Sequence, residues 1–355
     1  MTPMPTIQAT ARTARRGRAS AGHLAGVLAV AAALFLPWVT LAWFFGPITG
    51  DLARIGGWSE REYGWQATQP ALVVRGNREH LADAGVLVLG DSFSMGNVWQ
   101  SVLSERTGLR TLTLGYQGHG CLPEFVALAQ SPQYASARHV VVQTIERHLL
   151  DRLEQWAPCP PAGPILYEGP PGTTAAQRPW AWPTIDRRYL WRSLQHSMTL
   201  RRNPEAVVRG PEVANVPLAS ESLFSSRWAA RLLYYVGDDQ KAHWTEARVA
   251  RAAAQALELQ RRVEASGRRF TLLVMPDKSS VYREHLRDPA SVPAAFDWEP
   301  VFRAAGVSLL HPREAFVRAA RTQQDMYLPD DTHLSPRGFE LAGTLVAAQL
   351  QPASR

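Results

Sequence analysis

The chain is poor in cysteine and in metal-binding spacings. Its 355 residues hold two cysteines, Cys121 and Cys159. In an oxidising compartment these two are candidates for one disulfide, the alternative being two buried unpaired thiols. The ten histidines show no His-x-x-x-His pair and the cysteines no Cys-x-x-Cys, so no metal site is expected. No nucleotide or acyl-CoA motif occurs, and no cofactor is expected. Internal repeats are absent. Charged residues make up only 19% of the chain and hydrophobic ones 46%, which excludes a disordered polymer. The net charge is +7, and Arg12, Arg15, Arg16 and Arg18 supply four of those charges. The remaining arginines form no stripe and no nucleic-acid motif, so nucleic acid is not an expected partner.

What is present begins with an apolar run. Leu24 to Phe45 contains no charge and is long enough to cross a bilayer, which takes about 20 apolar residues. Trp38 and Trp43 suit an interface, and the arginines before the run suit the cytoplasmic side. A cleaved signal peptide has a shorter apolar region, of about 7–15 residues, ending in small residues. Here the run ends in Trp43-Phe44-Phe45-Gly46-Pro47, a poor cleavage site. We read residues 1–20 as a cytoplasmic tail and 21–46 as an uncleaved transmembrane anchor. The bulk of the chain then lies outside the cytoplasm, in the periplasm of a Gram-negative cell. Residues 47–83, rich in glycine and aromatics, form a lead-in that packs on the domain.

From residue 84 onward, apolar runs alternate with helical patterns. Val86–Leu89, Thr111–Leu114, His139–Gln143, Phe270–Met275 and Ser308–Leu310 read as strands. Residues 96–108, 243–266 and 336–350 read as helices. This alternation predicts an α/β fold with a parallel sheet and helices on both faces. Between 157 and 236 the pattern breaks. Pro158, Pro160, Pro161, Pro164, Pro170 and Pro171 forbid regular helix, and Trp180, Trp182 and Trp191 imply packed surface. We expect an insertion there, covering the site or lying away from it.

Two short blocks carry chemistry. Gly90-Asp91-Ser92-Phe93-Ser94 directly follows the first strand, where a sharp turn can expose a serine nucleophile. Near the C-terminus comes Asp330-Asp331-Thr332-His333. Ser92 needs a base, and His333 can supply it. The acid that holds the imidazole is Asp331 or Asp330.

Together the blocks resemble the SGNH (GDSL-type) hydrolase superfamily. The resemblance implies a three-layer α/β/α fold over residues 84–355. It also implies oxyanion donors from the serine N–H, a glycine after the second strand and an asparagine after the third. Gly115 or Gly118 are candidates for the glycine. The asparagine is missing, because Gln143-Thr144-Ile145-Glu146-Arg147-His148 follows the third strand. Gln143, Arg147 and Tyr116 are candidates to replace it. Glu146-Arg147, Pro276-Asp277-Lys278-Ser279-Ser280-Val281-Tyr282 and Asp331-Thr332-His333 are similar to the alginate O-acetyltransferase (AlgX/AlgJ-related) branch. In that branch the acid two residues before the histidine is used, which selects Asp331. Typical alginate enzymes carry the histidine block first, whereas here the serine block comes first.

This resemblance implies an O-acetyltransferase for a cell-envelope polysaccharide or exopolysaccharide. It would work through an acetyl-serine, with a membrane-bound O-acyltransferase as the donor partner. Lys278 would bind an anionic substrate or hold a turn. The alternatives are a carbohydrate esterase or deacetylase with the same triad, or an inactive polysaccharide-binding protein.

Overall fold

A computed structural model describes residues 11–77, 83–115, 126–127, 130–154, 165–166 and 171–351. The chain starts with α1 (Ala11–Phe45), whose stretch Gly22–Phe45 is long and apolar enough to cross a membrane. Two short helices follow, α2 (Asp51–Gly56) and α3 (Glu60–Tyr63), then a two-residue strand β1 (Val73–Val74). Next come β2 (Val86–Gly90), α4 (Ser92–Met95), α5 (Val98–Thr107), β3 (Thr111–Gly115), β4 (His139–Ile145) and α6 (Leu149–Glu154). Then follow β5 (Ile165–Leu166), β6 (Gly172–Thr173), α7 (Arg187–Arg202), β7 (Val208–Arg209), β8 (Val213–Pro217) and β9 (Arg231–Tyr235). The chain closes with α8 (Glu246–Glu264), β10 (Arg269–Met275), α9 (Lys278–Tyr282), α10 (Glu299–Ala304), β11 (Leu309–Leu310), α11 (Arg313–Ala320) and α12 (Pro336–Leu350).

Among the described residues, the central sheet has six strands in the order β11-β10-β4-β2-β3-β5. All neighbouring pairs are parallel except the edge pair β3–β5. Strands buried on both faces read as near-continuous apolar runs, and Val86-Leu87-Val88-Leu89 and Val140-Val141-Val142 are such runs. One face carries Leu87, Leu89, Val140, Val142 and Leu272 against α6, α8 and α10. The other carries Val86, Val88, Val141, Leu273 and Met275 against α5, α11 and α12. Each fully buried large apolar side chain contributes about 1.5–3 kcal/mol. β2 lies between β3 and β4, so the chain leaves it first to one side and then to the other. In open α/β sheets, sites form at the carboxyl end of such a switch point. Ser92 follows β2 at that end.

The region 157–236 differs from expectation. Its described residues include the 16-residue helix α7 and a three-stranded antiparallel sheet, β7-β8-β9. The prolines that argued against helix lie before α7, and none falls between Pro183 and Pro204. Asp186 caps α7 by accepting the N–H groups of Arg188 and Tyr189. The tryptophans also differ, since Trp180, Trp182 and Trp191 stand exposed instead of packed. β6 pairs with β1, which links this region to the lead-in. The lead-in is folded against it. Leu52, Trp58 and Tyr63 pack with Leu200, Val213 and Leu233.

Candidate active site

Gly90 ends β2, in register with Gly115 of β3. A Cβ at Gly90 would meet Ser94 Oγ at 2.3 Å, so a side chain there would displace the turn. Asp91 then bridges two strand ends. One carboxylate oxygen caps α4 by accepting the Phe93 N–H at 3.0 Å, and the other accepts the Ile145 N–H at 3.0 Å. Buried Gln143 supports the turn from behind. Its Oε1 accepts the Asp91 N–H at 3.1 Å and the Ser94 hydroxyl at 2.7 Å. These bonds fix the backbone on either side of Ser92, whose own side chain is exposed.

His333 reaches Ser92 from a second loop. That loop runs from the bridge residue Tyr327 to its partner Leu334 and then into α12, which Ser335 caps by accepting the Gly338 N–H at 3.2 Å. Ser92 Oγ lies 2.9 Å from His333 Nε2, and His333 Nδ1 lies 2.6 Å from Asp331 Oδ1. A carboxylate only accepts, so Nδ1 carries the proton and Nε2 accepts from the serine hydroxyl. Asp331 Oδ1 also accepts the His333 N–H at 2.9 Å, which locks acid and base into one unit. The ring packs on Phe93, with centroids 5.0 Å apart.

The charges suit that arrangement. Burial opposes ionisation of Asp331, but the hydrogen bonds and charge of His333 prevail and lower its pKa to about 2. Burial likewise disfavours the imidazolium, yet the Asp331 hydrogen bond and the charges of Asp331 and Asp51 raise the His333 pKa above its ordinary value. Asp330 turns away from the histidine. It is buried, its carboxylate lies 3.6 Å from Arg178, and burial first, then the Asp331 charge, raise its pKa to about 6. Between the two acids, Asp331 is the one that meets the histidine ring.

The sequence reading gave Asp51 no role in the site. Its carboxylate accepts the Thr332 N–H at 2.7 Å and the Thr332 hydroxyl, and it lies 3.7 Å from His333 Nδ1. Its own N–H donates to Asp331 Oδ2 at 3.1 Å. Burial and the Asp331 charge raise its pKa. No local motif marks this residue. The only sequence cue is an acid at the first position of a short helix. Asp51, Asp331 and His333 also bring one ligand atom each within 4.8 Å of one another. With Nδ1 protonated toward Asp331, that nitrogen has no lone pair for an ion in this arrangement.

The other predicted residues have different surroundings. Of the two roles open to Lys278, its contacts fit the structural one. Its buried Nζ donates to the carbonyls of Leu328, Pro329 and Asp331 at 2.8, 2.8 and 3.1 Å, bracing the histidine loop. Burial lowers its pKa to about 8. Arg147 Nη1 faces Asp277 at 2.6 Å and Asp238 at 3.2 Å. Gln143 is wholly buried behind the turn. Gly115 is buried in the sheet, paired with Gly90 and Ile165. Gly118 and Tyr116 lie outside the described residues, as do Cys121 and Cys159. Glu146, beside Arg147, is buried in an ion pair with Lys241 at 2.9 Å and accepts the Asp277 N–H at 2.9 Å. The Glu-Arg and Pro-Asp-Lys blocks thus form one buried charge network linking the ends of β4 and β10.

Residues 230–355 match the family model described as the SGNH hydrolase-like domain of acetyltransferase AlgX. Over those residues the chain is similar to this AlgX-type, SGNH hydrolase-like domain. The AlgX-type match covers β9 to α12 and so contains Asp331, His333 and Lys278. Ser92 lies outside the AlgX-matched residues, and the sheet topology brings it to them. No curated protein and no solved structure matches the chain.

Proposed function

We propose that the protein is a membrane-anchored O-acetyltransferase that uses Ser92, His333 and Asp331 to move an acetyl group onto a polysaccharide hydroxyl. The observation that carries this reading is the unbroken chain Ser92 Oγ–His333–Asp331, at 2.9 and 2.6 Å, with His333 and Asp331 inside the AlgX-type match.

The residues support a two-step reaction. Ser92 Oγ attacks the acyl carbonyl while its proton passes to His333 Nε2. His333 returns that proton to the departing donor group, leaving an acetyl-serine. An acceptor hydroxyl then gives its proton to Nε2 as its oxygen attacks the acetyl-serine. The bond to Ser92 breaks, and the serine recovers its proton. Asp331 stays ionised and holds the imidazole in the tautomer required by both steps.

The setting we infer is the inner membrane, with the catalytic domain in the periplasm. A membrane-bound O-acyltransferase would supply acetyl groups there. The end of α1 supports a helix that stays attached, because Ala42 and Phe45 are buried against Tyr189 and Leu190 of α7. Cleavage there would open that contact.

Full-length protein in detergent, given an activated acetyl ester with and without oligosaccharide, tests the reading. Acetylated sugar that disappears in Ser92→Ala supports it. Ester hydrolysis indifferent to the sugar would make the protein an esterase instead.

A further inference from the structure

The foot of α1 is ringed by aromatic and cationic side chains that the chemistry does not use. Trp180 and Trp182 are 68% and 71% exposed. They contact each other edge-on at 4.6 Å, and Trp182 meets Trp43 of α1 at 6.4 Å. Two adjoining clefts of about 330 and 280 Å³ share Arg61 and Arg227 as walls. Both arginines are exposed, and neither forms an ion pair among the described residues. Arg201 lines the smaller cleft and lies over the Phe44 ring at 6.0 Å. Glu62, the acid on that wall, accepts the Ser197 hydroxyl.

The position of this ring relative to the apolar helix identifies what covers it. Gly22–Phe45 spans 24 residues, about 36 Å at 1.5 Å per residue. The hydrocarbon core is about 30 Å thick. The last turn of α1, holding Trp43 and Phe44, therefore sits in the headgroup layer, and Trp182 sits beside it. Trp38, about 8 Å further down the helix from Trp43, still meets the domain, since Arg187 of α7 lies over its ring at 5.7 Å. Tryptophan at the headgroup level and arginine toward lipid phosphate are the side chains this layer favours.

We propose that this face is a membrane-contact surface. The Trp180–Trp182 loop inserts in the headgroup layer beside α1, and Arg61, Arg201 and Arg227 take lipid phosphates. The domain is then fixed in height and tilt over the bilayer instead of hanging from a tether. This rests on α1 being a membrane anchor.

The test places a benzophenone amino acid at 180, at 182 and, as a control, at exposed Arg303 on α10. Full-length protein is irradiated in bilayers containing anionic phospholipid, and adducts are read by mass spectrometry. Lipid adducts at 180 and 182, several-fold above those at 303 and reduced in Arg61→Gln/Arg201→Gln/Arg227→Gln, support the surface. An alkaline wash of the same membranes separates the two readings. Protein that washes out overturns the anchor and this surface with it. Protein that stays, with no lipid adduct at 180 or 182, overturns the surface alone. The same holds if the adducts there are to another protein.

Discussion

Asp51 accepts the backbone N–H of Thr332 at 2.7 Å, tying the lead-in helix to the residue just before the histidine. The same carboxylate stands 3.7 Å from His333 Nδ1, so two acids and not one face that side of the ring. Asp51→Asn removes a charge that raises the His333 pKa. The low-pH limb of Ser92 acylation should move to lower pH. A pH–rate profile checks this, and a residue that merely shapes the loop would change the rate without moving the limb.

The pH dependence of the parent protein follows from the same group. His333 must be neutral to take the serine proton. Its pKa lies above the ordinary value of about 6.5. Acylation should therefore fall as pH drops, with a midpoint above about 6.5. The stability contribution has the opposite sense. A raised folded pKa stabilises below the unfolded value, and that contribution disappears as pH rises through the folded pKa.

The two neighbouring acids should separate cleanly. Asp331→Asn leaves the wrong tautomer beside Ser92 and should lower the acylation rate by about 10³- to 10⁴-fold. Asp330→Asn should spare most of the rate, because its carboxylate faces Arg178 and not the imidazole. Single-turnover rates of the two variants decide the assignment.

Lys278→Met leaves three loop carbonyls without their cation. It should lower stability by about 2–5 kcal/mol, and the rate should drop as the histidine loop loosens. KM for charged and neutral acceptors should change alike. A selective loss of binding to anionic acceptors would return Lys278 to the substrate site.

The sheet and the reacting pair were legible because their signals are local. Val86–Leu89, Val140–Val142 and Phe270–Met275 are apolar runs beside turn signals, and each became a strand. Ser92 and His333 sit in short blocks with recognisable spacing. The rest depends on contacts far apart in sequence. Asp51 gains its place only when α2 packs beside the Asp331 loop, with the Ala53 N–H donating to the Asp330 carbonyl at 3.1 Å. β8 and β9 hid because Asn215 and Arg231 interrupt their apolar pattern. Both are buried, and Arg231 Nε donates to Asn215 Oδ1 at 2.7 Å. Helix α7 hid behind prolines that all precede it. The surroundings of Lys278 and Arg147 were hidden because a sequence shows their charge and not the carbonyls and carboxylates that take it up.

The most direct test of the account is to locate the acyl group. Full-length protein is mixed briefly with an acetyl ester, quenched in acid, digested and analysed by peptide mass spectrometry. The account predicts one acetyl group on Ser92, greatly reduced in Asp331→Asn and absent in Ser92→Ala, with acceptor oligosaccharide discharging it. Acetyl transfer to the acceptor that continues undiminished in Ser92→Ala would contradict it.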